Sequence, residues 1–124
     1  MERSSNVSCP VTCIPAHQRL IIKGSCASAV NTASYNLSLS ASGLPLIDVK
    51  GVDGCPPTDF PIGGALDIGH FYFGGVGCPL DGKFAVSSQL VVATHAPKDT
   101  LTGVLRMEDQ AGAAMFVIEM VVNI

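Results

Sequence analysis

The chain has 124 residues, of which 48% are apolar, and its formal net charge is −3. This length provides one domain with its own core and is too short for two, so residues 1–124 are taken as a single domain. The seven Lys and Arg residues are scattered rather than gathered in a basic stripe, which excludes nucleic acid as an expected partner. No window approaches the roughly 20 apolar residues of a membrane-spanning helix. Residues 1–5 lack the apolar core of a secretion signal, so we expect either that a signal lies outside this chain or that there is none.

Apolar and polar residues alternate along most of the chain, which is the period of a strand with one dry and one wet face. In chain order, the predicted strands cover residues 19–23, 35–41, 46–50, 70–73, 83–86, 89–93, 105–108 and 116–123, with 89–93 either continuing the strand before it or restarting after a bend. Residues 108–112 form a polar stretch ending in Gly and predict the hairpin turn between the last two strands. Helical periodicity extends over no more than a turn, at residues 31–35 and 63–68. The pattern predicts an all-β fold, an immunoglobulin-like sandwich of two antiparallel sheets.

Five cysteines in a chain of this size favour disulfides formed in an oxidising compartment. Cys9 and Cys13 are four positions apart with a proline between them, which predicts a tight local loop closed by a bridge. Cys55 and Cys78 bracket a long stretch rich in Pro and Gly and form the second predicted pair. Cys26 is then the expected free thiol, buried at the end of a strand.

Metal binding and catalysis find little support in the sequence. Cys9 and Cys13 have no second closely spaced pair to complete a zinc site, and His17, His70 and His95 are far apart along the chain. The chain has no Gly-x-Ser-x-Gly, no His-Glu-x-x-His and no glycine-rich phosphate loop. We therefore expect a protein that is not an enzyme and that has no metal or cofactor.

Two sequons for N-glycosylation, at Asn6 and Asn36, fit a secreted protein. In the predicted strand 35–41, Leu37 and Leu39 point inward and Asn36 lies on the wet face, where a glycan must be.

The order and spacing of several short segments carry a resemblance that covers nearly the whole chain from Ser8 on. These segments are Cys9-Pro10 with Cys13 after it, Gly54-Cys55, Gly77-Cys78-Pro79-Leu80 and the turn at 109–112. Together they resemble the ML (MD-2-related lipid-recognition) family, which includes the Niemann-Pick C2 sterol carriers, the GM2 activator, the mite group 2 allergens and fungal phospholipid transfer proteins.

The chain also departs from the family pattern. The bridge that usually joins the first strand to the last strand pair is missing in both halves, since no Cys precedes Cys9 and none follows Cys78. The 22 residues between Cys55 and Cys78 exceed the small loop of the sterol carriers and are closer to the long loop of the GM2 activator. This length favours a phospholipid or a glycolipid over a sterol.

The resemblance implies non-catalytic lipid binding and transfer, with acyl chains held in a cavity between splayed sheets. It also implies transient membrane contact, a protein acceptor for the lipid, and secretion or an endosomal or lysosomal lumen as the location. The residues expected to contact lipid are the inward-facing ones together with two from a loop: Leu20, Ile22, Leu37, Leu39, Ile47, Val49, Phe60, Ile62, Phe71, Phe73, Phe84, Val86, Leu105, Met107, Phe116, Ile118 and Met120. The alternative is a filled core in a surface-interaction module, such as an adhesin or a recognition domain.

Two loops are candidates for the entrance to such a cavity. Residues 56–62 place Phe60 and Ile62 among turn-forming residues, which suits a lid or membrane contact, or else simple packing beneath a long loop. Residues 94–98 contain His95 and Lys98, which could meet a phosphate, although a solvated loop is the favoured interpretation.

Overall fold

The computed structural model describes residues 2–3, 7–16, 19–63, 68–96 and 98–123, and every regular element in these ranges is a β-strand. The strands are β1 (Glu2–Arg3), β2 (Val11–Ala16), β3 (Arg19–Val30), β4 (Ala33–Ala41), β5 (Leu44–Asp53), β6 (Thr58–Ile62), β7 (Gly69–Phe73), β8 (Leu80–Val92), β9 (Thr100–Asp109) and β10 (Ala114–Asn123). The predicted all-β class is confirmed.

The strands form two five-stranded sheets, with the orders β1-β10-β9-β4-β5 and β2-β3-β8-β7-β6. Neighbouring strands are antiparallel throughout. Strand β9 shows why the sheets face each other: Leu101, Leu105 and Met107 are buried while Thr102 and Arg106 between them are exposed. Each sheet therefore has one dry face, and the two dry faces meet as a β-sandwich. The immunoglobulin-like description of this sandwich stays a prediction.

Three strands were not expected from the sequence: the two-residue β1, and β2 and β6. Strand β2 contains Pro15 and strand β6 contains Pro61, and both strands lie at a sheet edge. Proline has no backbone N–H group and cannot donate a hydrogen bond to a neighbouring strand. An edge strand tolerates it because one side of the strand has no neighbour. The sequence predicted a tight local loop at residues 9–13 and a loop at residues 56–62, and the edge positions explain why strands form there despite the prolines. Strand β8 runs without a break through residues 80–92, and residues 33–35 belong to β4 rather than to a helical turn.

The predicted hairpin between β9 and β10 is confirmed. The carboxylate of Asp109 accepts hydrogen bonds from the backbone N–H groups of Ala111 and Ala113, at 2.9 and 3.0 Å. Gly112 has a φ of 78°, a left-handed conformation that glycine adopts without a side-chain clash. We call the end of the sandwich that carries this turn the closed end, and the end where β3 begins and β8 and β10 finish the open end.

One of the two predicted disulfides is confirmed and the other is wrong. Cys55 is bonded to Cys78 as predicted, but Cys9 is bonded to Cys26, and Cys13 belongs to neither bridge. The reason is that Cys9 and Cys13 are on or beside an extended strand, where four residues span roughly 13 Å, about twice the reach of a disulfide. The β2–β3 register that pairs Val11 with Gly24 places Cys9 opposite Cys26, with their Cα atoms 4.3 Å apart.

The chain between Cys55 and Cys78 contains the antiparallel strands β6 and β7 rather than one long loop. Near the end of this segment, Gly75 has a φ of 80°, and a Cβ atom there would lie 2.5 Å from the carbonyl oxygen of Cys55. The segment that contains β6 and β7 therefore returns next to Cys55, and the Cys55–Cys78 disulfide joins its two ends.

Both disulfides lie toward the closed end. The backbone N–H of Cys9 donates to Met115 at the start of β10, at 3.0 Å, and that of Gly54 donates to Ala33 at the start of β4, at 2.8 Å. Between these links, Tyr35 is fully buried, with its ring 4.9 Å from Phe73 and 6.5 Å from Phe60, measured between centroids. The closed end is thus covalently tied and filled by large side chains.

The outer faces of the sheets are largely polar. Asn36 lies on the outer face as predicted, half-buried, with its side-chain oxygen accepting a hydrogen bond from the backbone N–H of Gly51 at 2.9 Å. The other sequon residue, Asn6, lies outside the described residues.

Candidate functional site

A cavity of about 860 Å³ lies between the two sheets at the open end. Its walls come from the end of β2, the start of β3, the start of β7, the end of β8, the following loop and the second half of β10. The lining residues are Cys13, Pro15, Arg19, Leu20, Phe71, Ser88, Leu90, Val91, Val92, Ala93, Thr94, Ala96, Lys98, Ile118, Glu119, Met120, Val121, Val122 and Asn123.

Strand β8 shows how the sequence produces this space. Its inward side chains begin with Phe84 and Val86, which are buried in the core, and continue with Ser88, Leu90 and Val92, which line the cavity. The first part contains an aromatic ring, whereas the second part begins with the smallest of these side chains. The small side chain of Ser88 therefore leaves space next to the buried part of β8, and Leu90 and Val92 beyond it line that space instead of filling it.

The opposite wall comes from β10, and its exposure changes along the strand in the same way. Phe116 and Ile118 are at most 1% exposed, whereas Met120 and Val122, further along the same face, are only half-buried. Half-buried apolar side chains that point between two sheets leave area available for a further apolar group.

The edges of the two sheets are joined at the closed end and separate at the open end. The residues just before β2 hydrogen-bond to the start of β10, where Ser8 donates to Ala114 and Cys9 to Met115, at 2.9 and 3.0 Å. Further along, β2 and β10 line opposite parts of the cavity through Cys13 and Met120. The cavity thus lies where the direct connection between these strands has ended.

The rim carries both apolar and charged groups. Val91 and Val121 are 45% and 67% exposed. Arg19 and Lys98 are exposed, while Glu119 is half-buried. Within the cavity wall, Ser88 is the buried polar residue, at 4% exposure. The strand register aligns Arg19 with Gln89 and Tyr72 and aligns Glu119 with Val104, so both of these side chains extend from the outer faces of the sheets. The site is therefore apolar inside, with the exposed Lys98 in the loop beside it.

The loop between β8 and β9 forms one side of this mouth. Thr94, Ala96 and Lys98 all line the cavity. The loop is fixed at its base by Asp99, which accepts hydrogen bonds from the hydroxyl of Ser42 at 3.1 Å and from the backbone N–H of Thr100 at 2.7 Å. Of the two loops that the sequence offered as an entrance, the structure places this one at the cavity.

The other candidate segment lies elsewhere. Thr58–Ile62 is strand β6, in which Phe60 contacts Tyr35 and Ile62 is 1% exposed. Phe60 packs beside the closed-end Tyr35, whereas Ile62 is buried at the other end of β6, where it pairs with Gly69. Neither side chain lines the cavity, so this segment is not part of the cavity wall.

Sequence reasoning identified the inward faces of the strands but not the boundary between core and cavity. Four of the predicted lipid contacts line the cavity, namely Leu20, Phe71, Ile118 and Met120. The others are buried or half-buried in the packed core: Ile22, Leu37, Leu39, Ile47, Val49, Phe60, Ile62, Phe73, Phe84, Val86, Leu105, Met107 and Phe116. Leu90 and Val92 were missed, although the alternation of the predicted strand 89–93 already placed them on one face.

The shifted pKa that the structure indicates belongs to Tyr35, which does not line the cavity. Burial raises the pKa of Tyr35, and the hydrogen bond between its hydroxyl and that of Thr58 partly offsets this effect.

In the part of the chain that the structure describes, no group of three or more His, Cys, Asp or Glu side chains is placed to hold a metal ion. The same residues include no helix that is long and apolar enough to cross a membrane.

Comparison with known proteins leaves the family open. No protein-family model matches the chain, and no curated protein matches it significantly.

Proposed function

We propose that the protein binds a lipid without chemical conversion and carries it, holding at least one acyl chain in the cavity at the open end. The observation that supports this most directly is the cavity itself. Its volume of about 860 Å³ falls within the range of about 300–1,000 Å³ that is usual for small-molecule sites. Most of its wall is aliphatic, with Leu20, Leu90 and Met120 among its half-buried members.

The energetics of an acyl chain suit such a wall. Each methylene transferred from water into an apolar environment contributes about 0.8 kcal/mol. Several methylenes placed against Leu90, Met120 and Val122 therefore provide useful affinity without a specific polar contact. A charged headgroup would stay at the mouth, because burying it unpaired costs more than a few methylenes return.

The order of strands and cysteines resembles that of the ML family, and this resemblance supports the same proposal. It implies an immunoglobulin-like sandwich that holds the lipid between its two sheets. The ligand we favour is a phospholipid or glycolipid, with a sterol as the less favoured choice. Two disulfides are compatible with an extracellular or lumenal protein, so we propose secretion or an endosomal or lysosomal location. Transient membrane contact and a protein acceptor complete the proposed transfer cycle.

A matched pair of substitutions on one strand tests the site. Val92→Phe adds bulk where the cavity has room, and it should lower the uptake of a fluorescent acyl lipid with little loss of stability. Val86→Phe makes the same change on the same face of β8, but in the packed core, and overpacking should cost about 1–3 kcal/mol of unfolding free energy. Uptake and urea unfolding would be measured for both variants and for the wild type.

The measurement also separates the carrier from the alternative, a surface-interaction module with a filled core. The wild-type protein should retain extractable lipid through gel filtration after incubation with phospholipid vesicles. It should also take up fluorescent acyl lipid saturably at pH 5 or pH 7. If neither occurs and Val92→Phe is as destabilised as Val86→Phe, the cavity is not a lipid site and the interaction module is the better description.

A further inference from the structure

A serine side chain lies in the wall of the cavity, on the dry face of its sheet. Ser88 is 4% exposed and is the buried polar residue in the part of the chain that the structure describes. Its inward direction follows from the strand register, which aligns it with Leu20 on β3 and with Phe73 on β7. Leu20 lines the cavity and Phe73 is fully buried, so Ser88 lies where the packed core meets the cavity.

The hydroxyl of Ser88 has no hydrogen-bond partner among the described residues. In the same part of the chain, every side-chain nitrogen or oxygen that is completely buried does have a partner. The oxygen of Ser88 is therefore not completely buried, and the small exposure of this residue lies at its hydroxyl group. Because Ser88 lines the cavity, the hydroxyl faces that space.

This hydroxyl is far from the mouth, and the inward positions next to it are apolar. Leu90 on β8 and Phe71 on β7, which are aligned with each other, occupy the next inward row toward the open end. Val92, at the end of β8, is four residues beyond Ser88, which corresponds to roughly 13 Å along a strand. Ser88 is thus a polar group at the inner end of an apolar cavity.

Such a group weakens the binding of a plain hydrocarbon chain. While the cavity is open to solvent, water can pair with the hydroxyl. An acyl chain displaces that water and offers only methylenes in its place, so the hydroxyl is left buried and unpaired, which reduces the affinity. A chain with a neutral oxygen at the same depth restores the pairing. A charged group does not, because one hydroxyl among apolar side chains cannot compensate for burying a charge.

On the basis of the proposed lipid-binding function, we propose that the preferred ligand has an apolar chain with a neutral oxygen partway along it, and that this oxygen hydrogen-bonds to the hydroxyl of Ser88. A serine hydroxyl can donate to a keto group and can donate to or accept from another hydroxyl, so either group can provide the oxygen. The apolar wall contributes most of the affinity, and Ser88 determines which chains are preferred. Unsubstituted chains of the same length should bind in the same cavity but more weakly.

A set of 18-carbon acids with one extra oxygen, or none, tests this inference. Octadecanoic acid and its 2-hydroxy, 10-hydroxy, 12-hydroxy and 12-oxo derivatives would each compete with a fluorescent acyl lipid for the wild-type protein. At least one of the three acids substituted at position 10 or 12 should bind about two- to tenfold more tightly than octadecanoic acid, the size expected from one net hydrogen bond. The 2-hydroxy acid should show no such gain, because its extra oxygen stays beside the carboxylate at the mouth. Comparison of the 12-hydroxy and 12-oxo acids identifies which group is preferred.

Variants assign the preference to Ser88. Ser88→Ala should remove the gain of the substituted acids and should raise the affinity for octadecanoic acid about two- to tenfold, because no hydroxyl is left unpaired. Ser88→Thr retains a hydroxyl and should retain the preference. Ser87→Ala is the matched control, because Ser87 is the half-buried neighbour on the same strand that does not line the cavity. Urea unfolding establishes that each variant is folded.

The outcomes distinguish this inference from the function on which it rests. Equal affinity of the wild type for all five acids would overturn the role of the buried oxygen and leave lipid binding intact, and this arm depends on no variant. A preference that survives in Ser88→Ala would overturn the assignment to Ser88. An unchanged affinity of Ser88→Ala for octadecanoic acid would show that the hydroxyl is not left unpaired by a plain chain, which also overturns the inference. Failure of all five acids to bind would contradict the proposed function itself.

Discussion

Phe84 and Phe116 stack across the two sheets with their ring centroids 6.1 Å apart, and both belong to the packed core on the closed-end side of the cavity. Toward the open end, the inward residues of β8 and β10 that follow include Ser88 and Met120, which line the cavity. Two aromatic rings in contact between the sheets fill the interior at this level, so the pair, with the buried Val86 on its cavity side, forms a floor that limits how deeply a ligand can enter.

We expect Phe116→Leu to lower this floor. The smaller side chain should extend the cavity toward the closed end and shift the preference toward longer acyl chains, for example from 16 to 20 carbons. It should also reduce the unfolding free energy by about 1–3 kcal/mol. Binding of a chain-length series, together with urea unfolding, measures both effects.

Phe73→Leu is the control for this substitution, because Phe73 is equally buried but packs against Tyr35 at the closed end. It should cost similar stability and leave the chain-length preference unchanged. A shift in preference of the same size in both variants would show that the Phe84–Phe116 pair does not define the floor.

The sequence predicted the fold class because the strands have simple two-residue periodicity. In β4, Leu37 and Leu39 alternate with polar residues, and the structure buries the leucines. The same reasoning missed β2 and β6, because residues 9–13 were interpreted as a tight local loop and residues 56–62 as a longer loop. Strand order decides whether a proline is tolerated, and local periodicity contains no information about strand order.

The pairing of Cys9 with Cys26 was missed for a related reason. Spacing along the chain suggested a local bridge, whereas the bridge follows the register of two neighbouring strands. The cavity presents the same limitation: periodicity gives the inward face of β8 but not the depth at which that face stops being packed. That depth depends on which side chain of the other sheet lies opposite, as Phe116 lies opposite Phe84.

The disulfide assignment leads to a stability prediction. Replacing both Cys55 and Cys78 by Ser should lower the unfolding free energy by about 3 kcal/mol, because the bridge restricts the unfolded chain between residues 23 apart in sequence. Cys13→Ser should leave both bridges in place. Mass spectrometry of unreduced peptides should find Cys9 linked to Cys26, and a peptide linking Cys9 to Cys13 would contradict the structure.

The environment of Tyr35 predicts loss of stability at high pH. Burial raises the pKa of Tyr35, so above its usual value of about 10 the unfolded state loses this proton before the folded state does. The contribution to stability is therefore fully present below about pH 10 and is lost as the pH rises toward the folded-state pKa. Urea unfolding between pH 8 and pH 11 should show this decline in the wild type.

Tyr35→Phe should flatten that decline and should cost about 1–2 kcal/mol at neutral pH, because the hydroxyl of Thr58 loses its buried partner. Tyr72→Phe is the control, since Tyr72 lies on the outer face at 36% exposure and its substitution leaves Tyr35 in place. An unchanged pH profile in Tyr35→Phe would show that Tyr35 does not cause the decline.

The exposed valine at the rim predicts how the protein meets a membrane. Val121 is 67% exposed and lines the mouth, so we expect it to contact the bilayer during lipid transfer. Val121→Gln should slow the transfer of fluorescent lipid between vesicles about two- to tenfold, as less apolar area enters the membrane. Uptake of the same lipid presented in solution should change little, because Val121 is on the rim rather than in the buried wall.

Val104→Gln is the matched control, since Val104 is a 40% exposed valine on the neighbouring strand β9 that does not line the cavity. Equal slowing in both variants would point to a general effect of the substitution, and unchanged transfer in Val121→Gln would show that lipid enters without membrane contact at this rim.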